Sequence, residues 1–175
     1  KVEHGKTFDR NAANPPAFEI FHNTVTEGYP EHWHTAIEII MPTRGEYEVV
    51  VGKDSYNLKE GDIIMINSGV VHGMRFVSQG ERIVMLVEPG CVENQEEMET
   101  IFLRLPAIYF KKEDEEDPFY LFLRSQILEL VREYDNEGAV MTHRICTGLK
   151  ELFSEFGRKG FSDANAQNTF GAMKQ

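Results

Sequence analysis

His32-Trp33-His34-Thr35-Ala36-Ile37-Glu38 is answered further along the chain by Gly61-Asp62-Ile63-Ile64-Met65-Ile66-Asn67-Ser68-Gly69-Val70-Val71-His72. Positions 32, 34 and 38 share parity, so on one extended strand both imidazoles and the carboxylate point to the same face. A second strand has to bring His72 opposite them. Imidazole nitrogens and a carboxylate oxygen suit zinc, iron, manganese, nickel or copper, and three or four protein ligands leave room for water or a substrate. The two segments therefore ask for a β scaffold that closes around a candidate divalent-metal site made of His32, His34, Glu38 and His72.

The surrounding sequence supplies such a scaffold. Strands are expected over 17–25, 35–41, 46–51, 55–58, 63–66, 71–76 and 82–87. Turn residues separate them at Pro42-Thr-Arg-Gly45, Gly52-Lys-Asp54, Lys59-Glu-Gly-Asp62, Asn67-Ser-Gly69 and Ser78-Gln-Gly80. Short strands with turns this frequent predict a sandwich or barrel. Helices are expected afterwards. Asp117 reads as an N-cap with Pro118 at the first helical position, and Phe119, Phe122, Leu123, Ile127, Leu130, Val131 and Tyr134 recur at helical steps. Asn136-Glu-Gly138 breaks that run. A second helix from about Ala139 places Ile145, Leu149, Leu152, Phe153 and Phe156 on one face and ends near Gly157 or Gly160. Residues 93–105 predict a third, shorter helix.

The chain has 175 residues, enough for one core, and 41% of them are hydrophobic. It carries 29 acidic against 18 basic residues, a net charge of -11, which repels phosphate backbones and excludes nucleic-acid binding by this segment itself. No apolar run approaches a membrane span and the N-terminus is no signal peptide, so a cytoplasmic setting with no membrane contact is the expectation. Cys91 and Cys146 are too few for a disulfide framework and read as reduced, partly buried thiols without a role. The charged run 111–117 lacks the glycine and spacing of a calcium loop and reads as a solvated loop before the helix.

The quoted segments resemble the two motifs of the cupins. His32, His34, Glu38 and Gly45 stand at the first motif's spacing, with Gly28 two positions too close to His32 for its leading glycine. Gly61, Gly69 and His72 stand at the second motif's spacing, with Asn67 and Phe76 replacing its proline and asparagine. The resemblance implies a mainly β fold with C-terminal α structure: a cupin barrel, the double-stranded β-helix or jelly roll, over 1–110, then an antiparallel helical hairpin over 111–160. Residues 161–175 read as a severed linker.

A barrel, a hairpin and a linker in this order look like the N-terminal effector and dimerisation domain of AraC-type transcription regulators. His-Trp-His-Thr-Ala-Ile-Glu-Ile-Ile and Leu-Lys-Glu-Gly-Asp-Ile-Ile-Met-Ile-Asn-Ser-Gly-Val-Val-His carry that likeness. It implies a small-molecule effector in the barrel, commonly a sugar, while a pocket lined by Tyr, Met, Phe and Ile would equally accept an aromatic or other small organic compound. It implies a homodimer through the hairpin, whose apolar face is expected to exceed what one barrel covers. DNA would be bound only through a C-terminal helix-turn-helix domain that this sequence does not contain.

Tyr47, Met74 and Phe76 share parity with the barrel-facing residues and are candidate effector contacts, ordinary core filling being the alternative. The quartet is read as holding zinc, manganese, iron or nickel, or else as hydrogen-bonding within the barrel or touching the effector directly. Trp33, of opposite parity, is expected outside. Two functions remain: a regulator's sensor domain, and a metal-dependent cupin enzyme such as a dioxygenase, isomerase or epimerase. The sensor is preferred over an enzyme because the inner strands offer no further acid, base or nucleophile, and because a minimal enzyme does not need the hairpin.

Overall fold

Alternation along each strand decides what it packs against. The computed structural model describes residues 17–24, 28–91, 106–112, 116–136 and 138–159, side chains to 155. Among the described residues, nine strands form two antiparallel sheets. They are β1 (Phe18–Asn23), β2 (Tyr29–His32), β3 (Ile37–Arg44), β4 (Tyr47–Val51), β5 (Asp54–Leu58), β6 (Ile63–Ile66), β7 (His72–Phe76), β8 (Glu81–Val87) and β9 (Ala107–Phe110). One sheet has the order β1-β8-β3-β6-β9 and the other β2-β7-β4-β5. Two α-helices follow among the described residues, α1 (Pro118–Asp135) and α2 (Met141–Lys159). This is the mainly β barrel with a C-terminal helical hairpin that the sequence predicts.

The five-stranded sheet is covered on both faces. Ile37, Ile39 and Met41 of β3, Ile63 and Met65 of β6 and Ile83, Met85 and Val87 of β8 share a core with Leu123, Ile127, Leu130, Ile145, Leu149, Leu152 and Phe153 of the helices. The opposite parity, Ile40, Ile64 and Ile66, packs against Tyr47, Val49, Val51, Tyr56, Leu58 and Met74 of the other sheet. Burial on both sides explains why β3 and β6 read as continuous apolar runs, whereas β4 alternates because its outer face meets solvent.

Polar contacts fix the hairpin to the sheets. Asp117 caps α1, its carboxylate accepting from the Phe119 N–H at 2.9 Å, with Pro118 behind it. Tyr120 donates to the Gly61 carbonyl at 2.8 Å. Gly61 itself turns at φ 86°, where a side chain would be strained. Buried Asp62 accepts from the Lys59 N–H, the Lys112 N–H and the Tyr109 hydroxyl at 2.9, 2.8 and 2.7 Å, holding the segment before α1 against the β5–β6 turn. Gly148 lets the helices approach closely, since a Cβ there would lie 2.9 Å from Leu130 Cδ2.

Several expectations change. β2 and β9 were not predicted. The stretch Pro42-Thr-Arg44, read as a turn, continues β3 with an irregular register between Pro42 and Arg44, so the turn is confined to the residues after it. The apolar faces expected to demand a second copy are covered by the chain's own sheet, with Ile127, Ile145, Leu149 and Leu152 all 0% exposed. Leu121, Leu128 and Val140 are the large apolar residues that the described hairpin leaves exposed. The helix predicted over 93–105, the Phe156 side chain and the linker over 161–175 lie outside the described residues. No helix among the described residues is long and apolar enough to cross a membrane.

Candidate metal centre

The four residues of the quartet converge, though not along one strand as their parity suggests. His32 ends β2 and pairs with His72 of β7, which is flanked on its other side by Val51 of β4. Glu38 stands on β3, in the facing sheet, between Ile66 and Leu86. His34 lies in the connection. Residues 33–36 leave the ladder because their hydrogen bonds go elsewhere: the His34 carbonyl accepts from the Gly69 N–H at 2.8 Å, and the Thr35 hydroxyl donates to the Glu88 carboxylate at 3.1 Å. Gly69, at φ 73°, makes the turn that aims His72 inward. The chain thus crosses between sheets within the motif, and the site lies where the two walls meet.

One ligand-type atom from each of His32, His34, Glu38 and His72 lies within 4.8 Å of all the others. His34, Glu38 and His72 are buried and His32 is half-buried. The Nδ1 atoms of His32, His34 and His72 sit 2.9, 2.8 and 2.8 Å from the carbonyls of Pro30, Ala36 and Val70. A carbonyl oxygen only accepts, so each Nδ1 carries its proton. That leaves Nε2 as the nitrogen by which each neutral ring binds a cation, and ring orientation is fixed by backbone, as it is around metal-ligating histidines. The Nε2 atoms of His34 and His72 lie 3.0 and 2.8 Å from the same oxygen, Glu38 Oε2.

These contacts have an electrostatic cost and a resolution. Burial alone would raise the Glu38 carboxyl, but hydrogen bonds from His34 and His72, and then their charges, outweigh it and hold the group at about 2. Without a cation, one buried carboxylate oxygen faces the Nε2 atoms of both His34 and His72. A divalent ion satisfies the same lone pairs with the rings neutral. The residues present therefore fit a metal by number, type and orientation.

The other candidates are placed differently. Met74 is buried two residues from His72 on the same face. Tyr47 and Phe76 pair with each other at the opposite end of β4 and β7, about 13 Å from the His72 position at ~3.3 Å per residue. Phe76 is 45% exposed, and Trp33 is exposed as expected. The Tyr47 ring carries the Arg82 guanidinium 4.7 Å from its centroid, and its buried hydroxyl has no hydrogen-bond partner among the described residues. Arg82 is itself buried, and Glu19 Oε2 is buried as well. The expectation that the inner strands offer no further acid, base or nucleophile is therefore corrected at Glu19, and Arg82 adds a buried cation. The signal was available: Arg82 has the parity opposite to Ile83, Met85 and Val87, and Glu19 the parity opposite to Phe18 and Ile20.

Residues 23–88 match the cupin domain family model, a span that contains the whole quartet. Among solved structures, the AraC-like transcriptional activator CuxR matches over 81% of this chain with a TM-score of 0.59 and 10% identity. An apo ToxT variant from Vibrio cholerae matches over 83% with a TM-score of 0.54 and 12% identity. The chain spans 52% of the CuxR chain and 58% of the ToxT chain. A variant of oxalate decarboxylase from Bacillus subtilis matches over 41% of this chain and 21% of its own, with a TM-score of 0.38 and 19% identity. At such identities the likeness is one of fold. No curated protein sequence matches the chain.

Proposed function

We propose that this chain is the sensor part of an AraC-type transcription regulator, holding a divalent metal and a small effector in its barrel. One observation carries the reading. β3 presents Glu38 to the site while its neighbours Ile37 and Ile39 enter the core shared with α1 and α2. A ligand that shifts Glu38 therefore moves the strand on which the hairpin rests, which is the kind of two-sided element that couples sites. The likeness in fold to CuxR and ToxT covers 81% and 83% of this chain and supports the same reading.

The chain's residues have separate tasks in this account. His32, His34 and His72 present Nε2, oriented by their backbone acceptors, and Glu38 supplies negative charge from the facing sheet. When bound, a divalent cation supplies positive charge and open coordination positions for an effector oxygen. Sugars and small aromatic compounds bearing oxygen fit that chemistry. Pairing of two copies belongs to the same proposal, with Leu121, Leu128 and Val140 as the outward apolar residues left for it. The second reading, a metal-dependent cupin enzyme, is favoured by the complete quartet and by the buried charges of Arg82 and Glu19.

The two readings separate on DNA. With a net charge of -11, residues 1–175 alone should form no complex with the DNA upstream of their own gene in a gel shift. The full product of that gene should form one that weakens steeply with salt. A gene product that binds no DNA, in the presence or absence of added metal, returns the enzyme to first place.

A further inference from the structure

We propose that Cys91 and Cys146 are an oxidisable thiol pair whose intramolecular disulfide ties the end of β8 to α2. This goes beyond the sensing function and rests on neither the metal nor the effector. The two residues are 55 positions apart, yet their Sγ atoms lie 3.4 Å from each other. Closing to the ~2.05 Å of a disulfide requires a shift of little more than 1 Å.

Both backbones are anchored rather than adrift. Cys91 closes the 3-10 turn Pro89–Cys91, its N–H bonded to the Glu88 carbonyl at 2.9 Å, and its side chain packs on the core between sheet and helices. Cys146 follows the fully buried Ile145 on α2. Both cysteines are only partly buried, so a small oxidant reaches them, while a bulky one meets the surrounding core. Oxidation therefore joins two positions already held in register.

The oxidant that fits is a hydroperoxide. The Cys146 sulfur attacks the peroxide, the O–O bond breaks, and for hydrogen peroxide one water leaves as a sulfenic acid forms. The Cys91 sulfur then attacks the Cys146 sulfur, the S–S bond forms, the S–O bond breaks and a second water leaves with the remaining thiol proton. Two thiols lose two electrons and the peroxide gains them. Burial, then the hydrogen bond and charge of Cys146, push the Cys91 thiol up to about 12 against the pull of Lys150, and the balance is the same whichever sulfur starts.

The consequence is a covalent strap around β9 and α1. It fixes α2 to β8, which lies beside the Glu38-bearing strand β3 in the sheet. Closing a loop of 55 residues constrains the unfolded chain enough to raise Tm by roughly 8–16 °C in a protein of this size.

The test treats the reduced full chain with hydrogen peroxide, blocks remaining thiols with iodoacetamide in denaturant, and reads mass, peptides and Tm. The expected result is a chain lighter by two hydrogens, unalkylated, with one peptide pair joining Cys91 to Cys146, and a Tm rise that dithiothreitol reverses. Cys146→Ser should remove both the cross-link and the rise, and the wild-type peptide map decides the matter even if that variant folds poorly. Both thiols still alkylated after peroxide, separate oxidation to sulfinic acids without a cross-link, or cross-links only between chains would each overturn the proposal.

Discussion

His32→Ala and His72→Ala are each expected to weaken binding of zinc or manganese by more than roughly 100-fold, the upper end of what losing even an outer-shell partner costs. Each removes one of three imidazoles that offer Nε2 to a common point. The two variants should differ in the metal-free state. His72 is 3% exposed and bonded to Glu38 Oε2, so its loss leaves a buried carboxylate with one partner fewer and lowers the melting temperature without metal. His32 is only half-buried, at the end of an exposed edge strand, so its removal should disturb the fold less than the loss of His72 while still removing affinity. Calorimetric titration beside thermal melts separates the two effects. A His32→Ala protein that binds metal like the wild type would remove His32 from the ligand set.

Phe153→Ala should destabilise the whole chain by about 3–5 kcal/mol, the range for emptying a large buried aromatic site. In a protein of this size that is a Tm drop of roughly 6–20 °C. Phe153 is 2% exposed, on α2, and belongs to the core that also holds Ile39, Met65 and Met85 of the sheet. Because hairpin and sheet share that core, urea unfolding followed by near-UV and far-UV signals should remain a single coincident transition in the wild type and the variant. Separate transitions would show that the hairpin folds as a unit apart from the barrel. Val77→Ala, at an exposed position after β7, should by contrast cost less than about 0.5 kcal/mol.

What could be read from the sequence follows burial. Ile63–Ile66 is a strand at its predicted bounds, and Asp117-Pro118 starts α1 as predicted, because an apolar run and a capping side chain are local signals. β2 left no such trace. Tyr29, Pro30 and Glu31 are all exposed on an edge strand, and a proline inside four residues argues against pairing. β9 is four residues long and gains its burial from β6, a partner far away in sequence.

The donor residues of the site were legible by type, since His and Glu are unusual among strand residues. Their division between two sheets was not. Parity tells which side of a strand a residue faces, but not that the chain changes sheets between His32 and Ile37. Arg82 gives little sign of its burial, because a charged residue beside a turn reads as solvated. The approach of Cys91 and Cys146 depends on how α2 docks against the turn after β8, which no local pattern encodes.

Metal-free protein titrated calorimetrically with zinc, manganese, iron(II) and nickel, with melting curves recorded on the same samples, shows whether His32, His34, Glu38 and His72 hold one divalent ion. One equivalent of at least one of these ions should bind per chain, with stabilisation of about 2.7 kcal/mol once free metal reaches roughly 100 times Kd. No uptake of any of the four ions, with melting curves unchanged by each, would mean that the four residues form no metal site.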